Sequence, residues 1–207
     1  MTGRTLVAGV GNVFLRDDAF GVEVVRLLGE QPRDDGVQIR DFGIRGVHLA
    51  YELLDGCDLF VLIDAAPRGA APGTVSVVDI ELPDPAALAN PVIDAHSLTP
   101  DSIFGLLVSL GGRPGRSLLV ACEPADVSAG MGLTDQVTQA LPHAVRAVEE
   151  ILAQARVTDL AAKSRQQGRE VRGMLSRLIK AAIIAAVLAM VIDSLPDIKR
   201  YLELREM

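Results

Sequence analysis

The run LFVLI at residues 59–63 constrains the fold of this chain more than any other feature, because an apolar segment of strand length continues without a polar break. A strand with one face toward water alternates apolar and polar side chains, whereas a strand buried on both faces is apolar throughout. Such strands are typical of parallel sheets covered by helices on both faces. The run therefore predicts an α/β protein.

Strand-like and helix-like patterns alternate through residues 1–155. The predicted strands are Thr5–Val10, Val37–Ile39, Leu59–Ile63, Thr74–Val78 and Ser117–Cys122. Segments with apolar residues at helical spacing separate them, at Ala19–Leu28, Val47–Leu54, Thr99–Leu110 and Thr134–Leu152. Pro142 is expected to kink or divide the last helix. The alternation predicts a three-layer fold, a mainly parallel twisted sheet with helices on both faces, in a catalytic domain of residues 1–155.

The sequence changes character after Ala155. Residues 156–173 are polar, basic and broken by glycine, which predicts a linker, and residues 174–207 combine an apolar run with an amphipathic end, which predicts a C-terminal helical appendage. The uninterrupted apolar core at residues 181–192 is shorter than the ~20 residues that span a bilayer. A docked or functionless helix is favoured, and weak contact with an anionic membrane surface through the basic flank is the alternative.

The charge distribution limits the partners of the main body. Residues 1–155 contain 10 Arg and no Lys against 21 Asp and Glu. Nucleic-acid binding draws on clustered Lys and Arg, so no nucleic-acid partner is expected. Cys57 and Cys122 form no CxxC pair and predict reduced, buried thiols rather than a disulfide framework or zinc site. With no export signal visible at the N-terminus, a cytoplasmic monomer is expected.

The first loop, GVGNVFLRDDAFGVEVV at residues 9–25, invites comparison with a dinucleotide-binding fingerprint, since Gly9 and Gly11 follow a strand. That pattern requires glycine where Phe14 stands. The first loop therefore lacks the phosphate cradle that a nucleotide-binding enzyme or phosphorylase on a similar scaffold would need. Asp17 is interpreted as a capping residue at the start of the helix that follows.

Three residues at predicted strand ends and loops form a candidate metal site. Asp18 lies in the first loop, Asp64 follows the buried strand directly, and His96 precedes a helix in the segment DAHSLTP. Ligands of parallel sheets bind beyond the carboxyl ends of the strands, and two carboxylates with one imidazole suit a borderline divalent metal with open positions. Capping or turn formation for the aspartates, and ordinary hydrogen bonding for the histidine, are the structural alternatives.

Several other residues receive mainly structural interpretations. Gly43 and Gly46 permit a tight turn or a close backbone approach, His48 and His143 are expected in surface or packing positions, Ser97 in a turn, and Glu123 in a turn before Pro124. No Ser-His-Asp order, HExxH helix or paired aspartic-protease motif is present, so the attacking group is unassigned.

Four segments of the chain, in order and at similar spacing, resemble the hydrogenase maturation endopeptidases. They are the first loop, the stretch DFGIRGVHLAYELLDGCDLFVLIDAAPRG at residues 41–69, DAHSLTP at 94–100 and GMGLTDQVTQALPHAV at 130–145. The resemblance extends from Thr5 to Leu152. It implies that Asp18, Asp64 and His96 form a nickel-recognising site, and that the loop with Gly43 and Gly46 lies beside the substrate groove. The first of these positions is often Glu in the family, so Asp18 is one methylene shorter.

The resemblance implies an endopeptidase that removes the C-terminal extension of a nickel-iron hydrogenase large-subunit precursor after nickel has been inserted. The nickel belongs to the substrate, and no tightly bound cofactor is expected. A nickel-binding maturation chaperone that uses the same residues without hydrolysis is the alternative function.

Overall fold

The computed structural model describes residues 3–31, 36–82 and 100–161, together with residues 164, 174, 177–181 and 184. The chain divides into two compact units, Met1–Ala155 and Arg156–Met207. His96 and Ser97 lie outside the described residues, as does most of the predicted appendage.

The first unit is built on a five-stranded sheet with the order β2-β1-β3-β5-β4. Strands β1, β2, β3 and β5 are mutually parallel, and β4 pairs with β5 in the antiparallel direction at one edge. The strand bounds are β1 Thr5–Val10, β2 Val37–Gly43, β3 Leu59–Ala65, β4 Val75–Asp79 and β5 Arg116–Cys122.

The central strands β1 and β3 are buried along almost their whole length, as their uninterrupted apolar sequences require. Alternate side chains of the strands enter two separate hydrophobic clusters on opposite faces of the sheet. Val7 and Val61 belong to one cluster, and Leu6 and Phe60 belong to the other. Each large apolar side chain buried in this way contributes roughly 1.5–3 kcal/mol to folding.

In the described part of the chain, two helices pack on each face of the sheet. They are α1 Phe20–Gly29, α2 Gly46–Leu54, α3 Pro100–Ser109 and α4, the helical residues 135–155. Apolar residues of α1 and α4 pack in one cluster, and those of α2 and α3 pack in the other. On the second face, the rings of Phe60 and Phe104 meet edge to face with centroids 5.9 Å apart. The three-layer α/β prediction is confirmed.

The expected division of the last helix at Pro142 is wrong, because the chain is helical through this residue. Pro142 removes the hydrogen bond to the carbonyl of Thr138, and both residues are exposed, so water can satisfy that carbonyl. The opposite side of the helix packs Ala140, Ala144 and Val148 into the core, which holds the helix against the sheet.

The second unit is described only at residues 156–161, 164, 174, 177–181 and 184, and these residues are helical. Among the described residues, no helix combines the length and apolar character needed to cross a bilayer.

The strand order places a crevice between β1 and β3. The chain leaves β1 toward β2 on one side, whereas it leaves β3 toward β4 and β5 on the other. Neighbouring parallel strands whose connections diverge in this way leave an opening at their carboxyl ends, which is where open α/β sheets bind ligands.

Candidate active site

Two carboxylates lie in one cleft at the point where the connections of β1 and β3 diverge. Asp18 belongs to a 3-10 turn, Arg16–Ala19, in the loop after β1, and Asp64 is near the carboxyl end of β3. Both residues line a cleft of about 230 Å³. The remaining lining is mainly apolar or glycine: Val10, Gly11, Gly43, Ile44, Gly46, Ala65, Ala66, Pro67 and Ile103.

Asp64 is the buried member of the pair, with a relative exposure of 8%. Burial and, to a smaller extent, the negative charge of Asp18 raise the pKa of its carboxyl to about 7, and a hydrogen bond with the Ala65 backbone opposes this shift. Asp64 therefore exchanges its proton near neutral pH. Such a group can act as a general acid or base, or release its proton when a cation arrives.

Asp18 owes its position to the tight path of the first loop. Gly11 has a φ of +131°, and a Cβ at this residue would lie 1.7 Å from the backbone oxygen of Asp18. Only glycine allows this approach. The backbone N–H of Asn12 donates a 2.7 Å hydrogen bond to Oδ2 of Asp18, which fixes the carboxylate, while Oδ1 of Asn12 accepts from the N–H of Phe14.

Asp17 does not cap α1, so the interpretation made from the sequence is wrong about its partner. Its fully buried carboxylate accepts hydrogen bonds from the backbone N–H groups of Ala125, Asp126 and Thr134 and from the Thr134 hydroxyl. Burial raises the pKa of Asp17, but these hydrogen bonds outweigh burial and leave the pKa below its usual value. Asp17 thus fastens the first loop to the loop after β5.

The structure describes two of the three predicted metal ligands. Asp18 and Asp64 share the cleft, whereas His96 lies outside the described residues. Within the described part of the chain, no three His, Cys, Asp or Glu side chains gather closely enough to hold a metal ion. The metal-binding role of all three residues therefore stays a prediction.

The glycines of the first loop region serve helix packing rather than phosphate binding. A Cβ on Gly21, in the first turn of α1, would lie 2.2 Å from the backbone oxygen of Ile63 and 2.4 Å from that of Val10. A Cβ on Gly9 would lie 2.2 Å from the Gly21 oxygen. These contacts bring α1 against β1 and β3, which gives the nucleotide-binding alternative no support.

Residues of the second loop were anticipated only in part. Gly43 and Gly46 both line the cleft, and Gly43 accepts a hydrogen bond from the N–H of Gly11, so that loop lies beside the first one. The contribution of Ile44 and Ile103 to the lining was missed, because an apolar residue in a loop or helix carries no signal of the cleft it faces.

Glu123 is a structural residue, as expected, but its partners were not predicted. Its carboxylate accepts hydrogen bonds from the backbone N–H groups of Arg68, Gly69 and Ala70, the loop after β3. The hydrogen bond from Arg68 leads the causes that lower its pKa. Glu123 and Asp17 together hold the loops on both sides of the cleft.

The remaining candidate residues, two histidines and two cysteines, do not line the cleft. His48 and His143 are exposed on α2 and α4, in agreement with surface positions. Cys122 is buried and Cys57 is half-buried, and burial raises the pKa of each thiol to about 11. A thiol with so high a pKa is protonated at neutral pH and is a poor nucleophile.

Comparison with known proteins gives two family matches on separate parts of the chain. Residues 22–152 match the family described as hydrogenase maturation protease. Residues 176–207 match a family of unknown function. The first match covers most of the first unit, including α1, the end of β3 and α4.

Individual relatives agree with the first match. The chain is 31% identical over 159 residues to hydrogenase expression/formation protein HoxM of Azotobacter vinelandii, covering 75% of each chain. It is also 31% identical over 165 residues to the hydrogenase 2 maturation protease of Escherichia coli, covering 79% of this chain and 97% of the relative. The solved structure of the E. coli hydrogenase maturating endopeptidase HybD is similar with a TM-score of 0.59 and 29% identity, over 73% of this chain and 93% of that one.

Proposed function

This chain belongs to the hydrogenase maturation protease family, and on that premise we propose that it is the endopeptidase that removes the C-terminal extension of a nickel-iron hydrogenase large-subunit precursor. The family match confirms the resemblance found in the sequence and supports a peptidase activity. The processed bond and its dependence on nickel are the proposed part.

One observation carries the proposal most directly: Asp18 and Asp64 line the same cleft at the crevice between β1 and β3. The loop after β1 and the end of β3 had to meet there for a shared site to exist. Carboxylates are suitable ligands for a borderline divalent cation such as Ni²⁺ when imidazole completes the set. His96 is the proposed third ligand.

The proposed ligand set is incomplete for a resident metal. Two carboxylates and one imidazole provide no thiolate cage and leave coordination positions open. A nickel ion that is already held by the precursor would fill this site from outside, with its own thiolates in the remaining positions. We therefore propose that nickel arrives with the substrate and that the purified enzyme holds little metal.

The residues of the cleft have separate roles in this scheme. Asp64, with its pKa near 7, loses its proton as it coordinates the metal, because a metal ligand must be deprotonated. Asp18, fixed by the Asn12 N–H, orients the precursor so that the scissile bond is positioned for attack. The two cysteines are poor nucleophiles because burial raises the pKa of each thiol, so water is the proposed attacking group.

The direct test compares precursor protein prepared with and without nickel. Purified enzyme is expected to shorten the nickel-loaded precursor and to leave the nickel-free precursor intact over the same time, since only the former presents the proposed ligand to Asp18 and Asp64. The size of the large subunit is followed by gel electrophoresis and intact mass spectrometry. Equal processing of both precursors would contradict recognition through nickel, and processing of neither would contradict the peptidase assignment for this substrate.

The proposed arrangement assigns catalysis to residues 1–155, which act as a cytoplasmic monomer, and treats 156–173 as a linker and 174–207 as an appendage. The buried residues of the described chain end at Leu152, and Ala155 still packs against their cluster. Every described residue from 156 onward is exposed, which supports the proposed boundary. The separate family match of residues 176–207 supports an independent segment.

Truncation after Ala155 is expected to preserve trimming of the nickel-loaded precursor within about twofold and to shift the thermal midpoint by only a few degrees. Liposome flotation of the full chain and of the truncated chain measures whether residues 156–207 provide a membrane-surface contact. A truncated protein that unfolds or loses trimming activity would show that the second unit is an integral part of the enzyme.

A further inference from the structure

Exposed apolar side chains are concentrated in loops at the carboxyl edge of the parallel strands, and two of these loops also line the cleft. We define the apolar rim as Val13, Phe14, Ile44, Val47, Val127 and Met131. Their relative exposures run from 36% for Val13 to 64% for Phe14 and 74% for Met131. All of them lie in the loops after β1, β2 and β5 or in the first turn of α2, and therefore at the carboxyl edge of the parallel strands.

The other large apolar side chains that are exposed in the described part of the first unit lie elsewhere. Tyr51 and Leu54 are farther along α2, Val77 is on the edge strand β4, and Leu110 follows α3 at the opposite end of the sheet. Single exposed apolar residues are common and need no explanation, but a cluster around an opening indicates a contact surface.

The rim has two sides that are held in fixed positions. On one side, the N–H of Gly130 donates a 2.9 Å hydrogen bond to the carbonyl of Phe14, so that Phe14 and Met131 are neighbours. Asp17 fastens the same two loops through Thr134 and Asp126. On the other side, Ile44 lines the cleft itself, and Val47 is in the adjoining turn of α2.

Any polypeptide that reaches Asp18 and Asp64 from solvent has to lie against the residues around the cleft opening. The rim offers apolar surface rather than charge, so the matching substrate segment is apolar. Loops that are already held in place lose little backbone freedom on binding, and aromatic and Met side chains are enriched at protein interfaces.

We propose, on the basis of the proposed function, that the apolar rim is the docking surface for the precursor, and that an apolar segment of the precursor lies on the rim beside the cleft. The rim thereby selects the substrate, while the carboxylates process it.

The test is the kinetics of trimming of nickel-loaded precursor by the full chain carrying Phe14→Ser and Met131→Ser together. Loss of two apolar anchors is expected to raise KM about 10- to 100-fold and to change kcat by less than about threefold, because the carboxylates are unaltered. The control is Val77→Ser with Leu110→Ser, which also removes two exposed apolar side chains, but away from the cleft, and is expected to leave both constants unchanged.

Met131→Ser alone is a second, milder variant, and thermal unfolding of every variant checks that folding is retained. An unchanged KM in the folded double variant, with wild-type enzyme still trimming, would overturn the docking surface but not the peptidase assignment. Failure of wild-type enzyme to trim would instead overturn the proposed function. A wild-type dimer in light scattering that the double variant abolishes would assign the rim to a second copy of this chain and likewise overturn the proposal.

Discussion

Replacing Asp64 by Asn is expected to abolish trimming of the precursor and, at the same time, to stabilise the folded protein above neutral pH. The loss of activity should be at least about 100-fold, since even residues that only support a metal ligand reduce function about 10- to 100-fold when they are replaced. The gain in stability follows from burial, which raises the pKa of this carboxyl to about 7 from a usual value near 3.8.

The sign of the pH dependence follows from the protons that each state binds. Below about pH 4, Asp64 is protonated in both the folded and the unfolded chain. Between about pH 4 and pH 7 the unfolded chain ionises Asp64 while the folded chain keeps its proton, so the free energy of unfolding falls as pH rises. The asparagine variant has no such loss. The free energy of unfolding of the variant should therefore exceed that of the wild type by at most about 4 kcal/mol at pH 8, at roughly 1.4 kcal/mol for each unit of pKa shift.

Urea unfolding of the wild-type protein and the variant at pH 5 and pH 8 measures this difference. Asp79→Asn is the matched control, because Asp79 is an exposed residue of β4 that pairs with Arg116 at the surface, and little change is expected at either pH. If Asp64→Asn changes the free energy of unfolding equally at both pH values, the folded protein does not disfavour the charge on Asp64.

The unfavourable position of the Asp64 carboxyl, buried beside a second carboxylate, gives a physical reason to propose the cleft as the active site. A buried carboxylate with a second carboxylate nearby disfavours its own charged form, and ordinary packing would place an apolar residue at such a position. The cost is greatest when the cleft is empty, and it is reduced when a cation neutralises both charges. Recognition of a substrate that carries a metal is consistent with this difference, because the cation would lower the cost of the two negative charges.

The sheet was predictable from the sequence to the extent that its strands are buried. Thr5–Val10 was predicted at its observed bounds, because burial on both faces leaves an uninterrupted apolar run. Strand β2 was predicted only at Val37–Ile39, but it continues to Gly43. Its second half is at the sheet edge, where Arg40 and Asp41 are exposed and the apolar pattern disappears.

The site was predictable where a residue's position in the chain determines its place in the fold. Asp64 follows a buried strand, so its location at the carboxyl end of the sheet could be inferred directly. Asp18 was singled out over its neighbour by resemblance to a family, because sequence gives both acids the same local setting. The pKa of Asp64 was not predictable, since it depends on how deeply the neighbouring loops cover the cleft.

The partner of Asp17 could not be inferred from the local sequence. An acid near the start of a helix ordinarily suggests a cap, but this carboxylate instead binds a loop more than 100 residues later in the chain. Contacts at such separation depend on the sheet order that brings the loop after β1 near the loop after β5. The apolar rim was missed for the same reason, since its members come from three loops.

Replacing Asp17 by Asn is expected to destabilise the protein by about 2–4 kcal/mol at neutral pH, whereas Asp64→Asn is expected to stabilise it. Oδ2 accepts hydrogen bonds from Ala125, Asp126 and the Thr134 hydroxyl, and Oδ1 accepts from the Thr134 N–H. An amide can replace only one of these oxygens. Its NH₂ group would then face a buried N–H donor, so the protein loses charge-assisted hydrogen bonds and leaves a donor unsatisfied, each at about 1–3 kcal/mol.

The pH dependence of this loss is opposite in sign to that of Asp64. Because the folded protein lowers the pKa of Asp17, its stabilising effect is present above the usual value near 3.8 and disappears as pH falls through the lower folded value. Wild type and Asp17→Asn should therefore differ most in free energy of unfolding at neutral pH and converge in acid.

Glu123→Gln is the control, since the Glu123 carboxylate also accepts hydrogen bonds from three backbone N–H groups. These hydrogen bonds lie at an exposed loop, where water can replace them, so a smaller loss of unfolding free energy is expected. Urea unfolding midpoints at pH 7 compare the two. Equal losses for both variants would show that the buried position of Asp17 adds nothing, and that the loops around the cleft are not fastened through this residue.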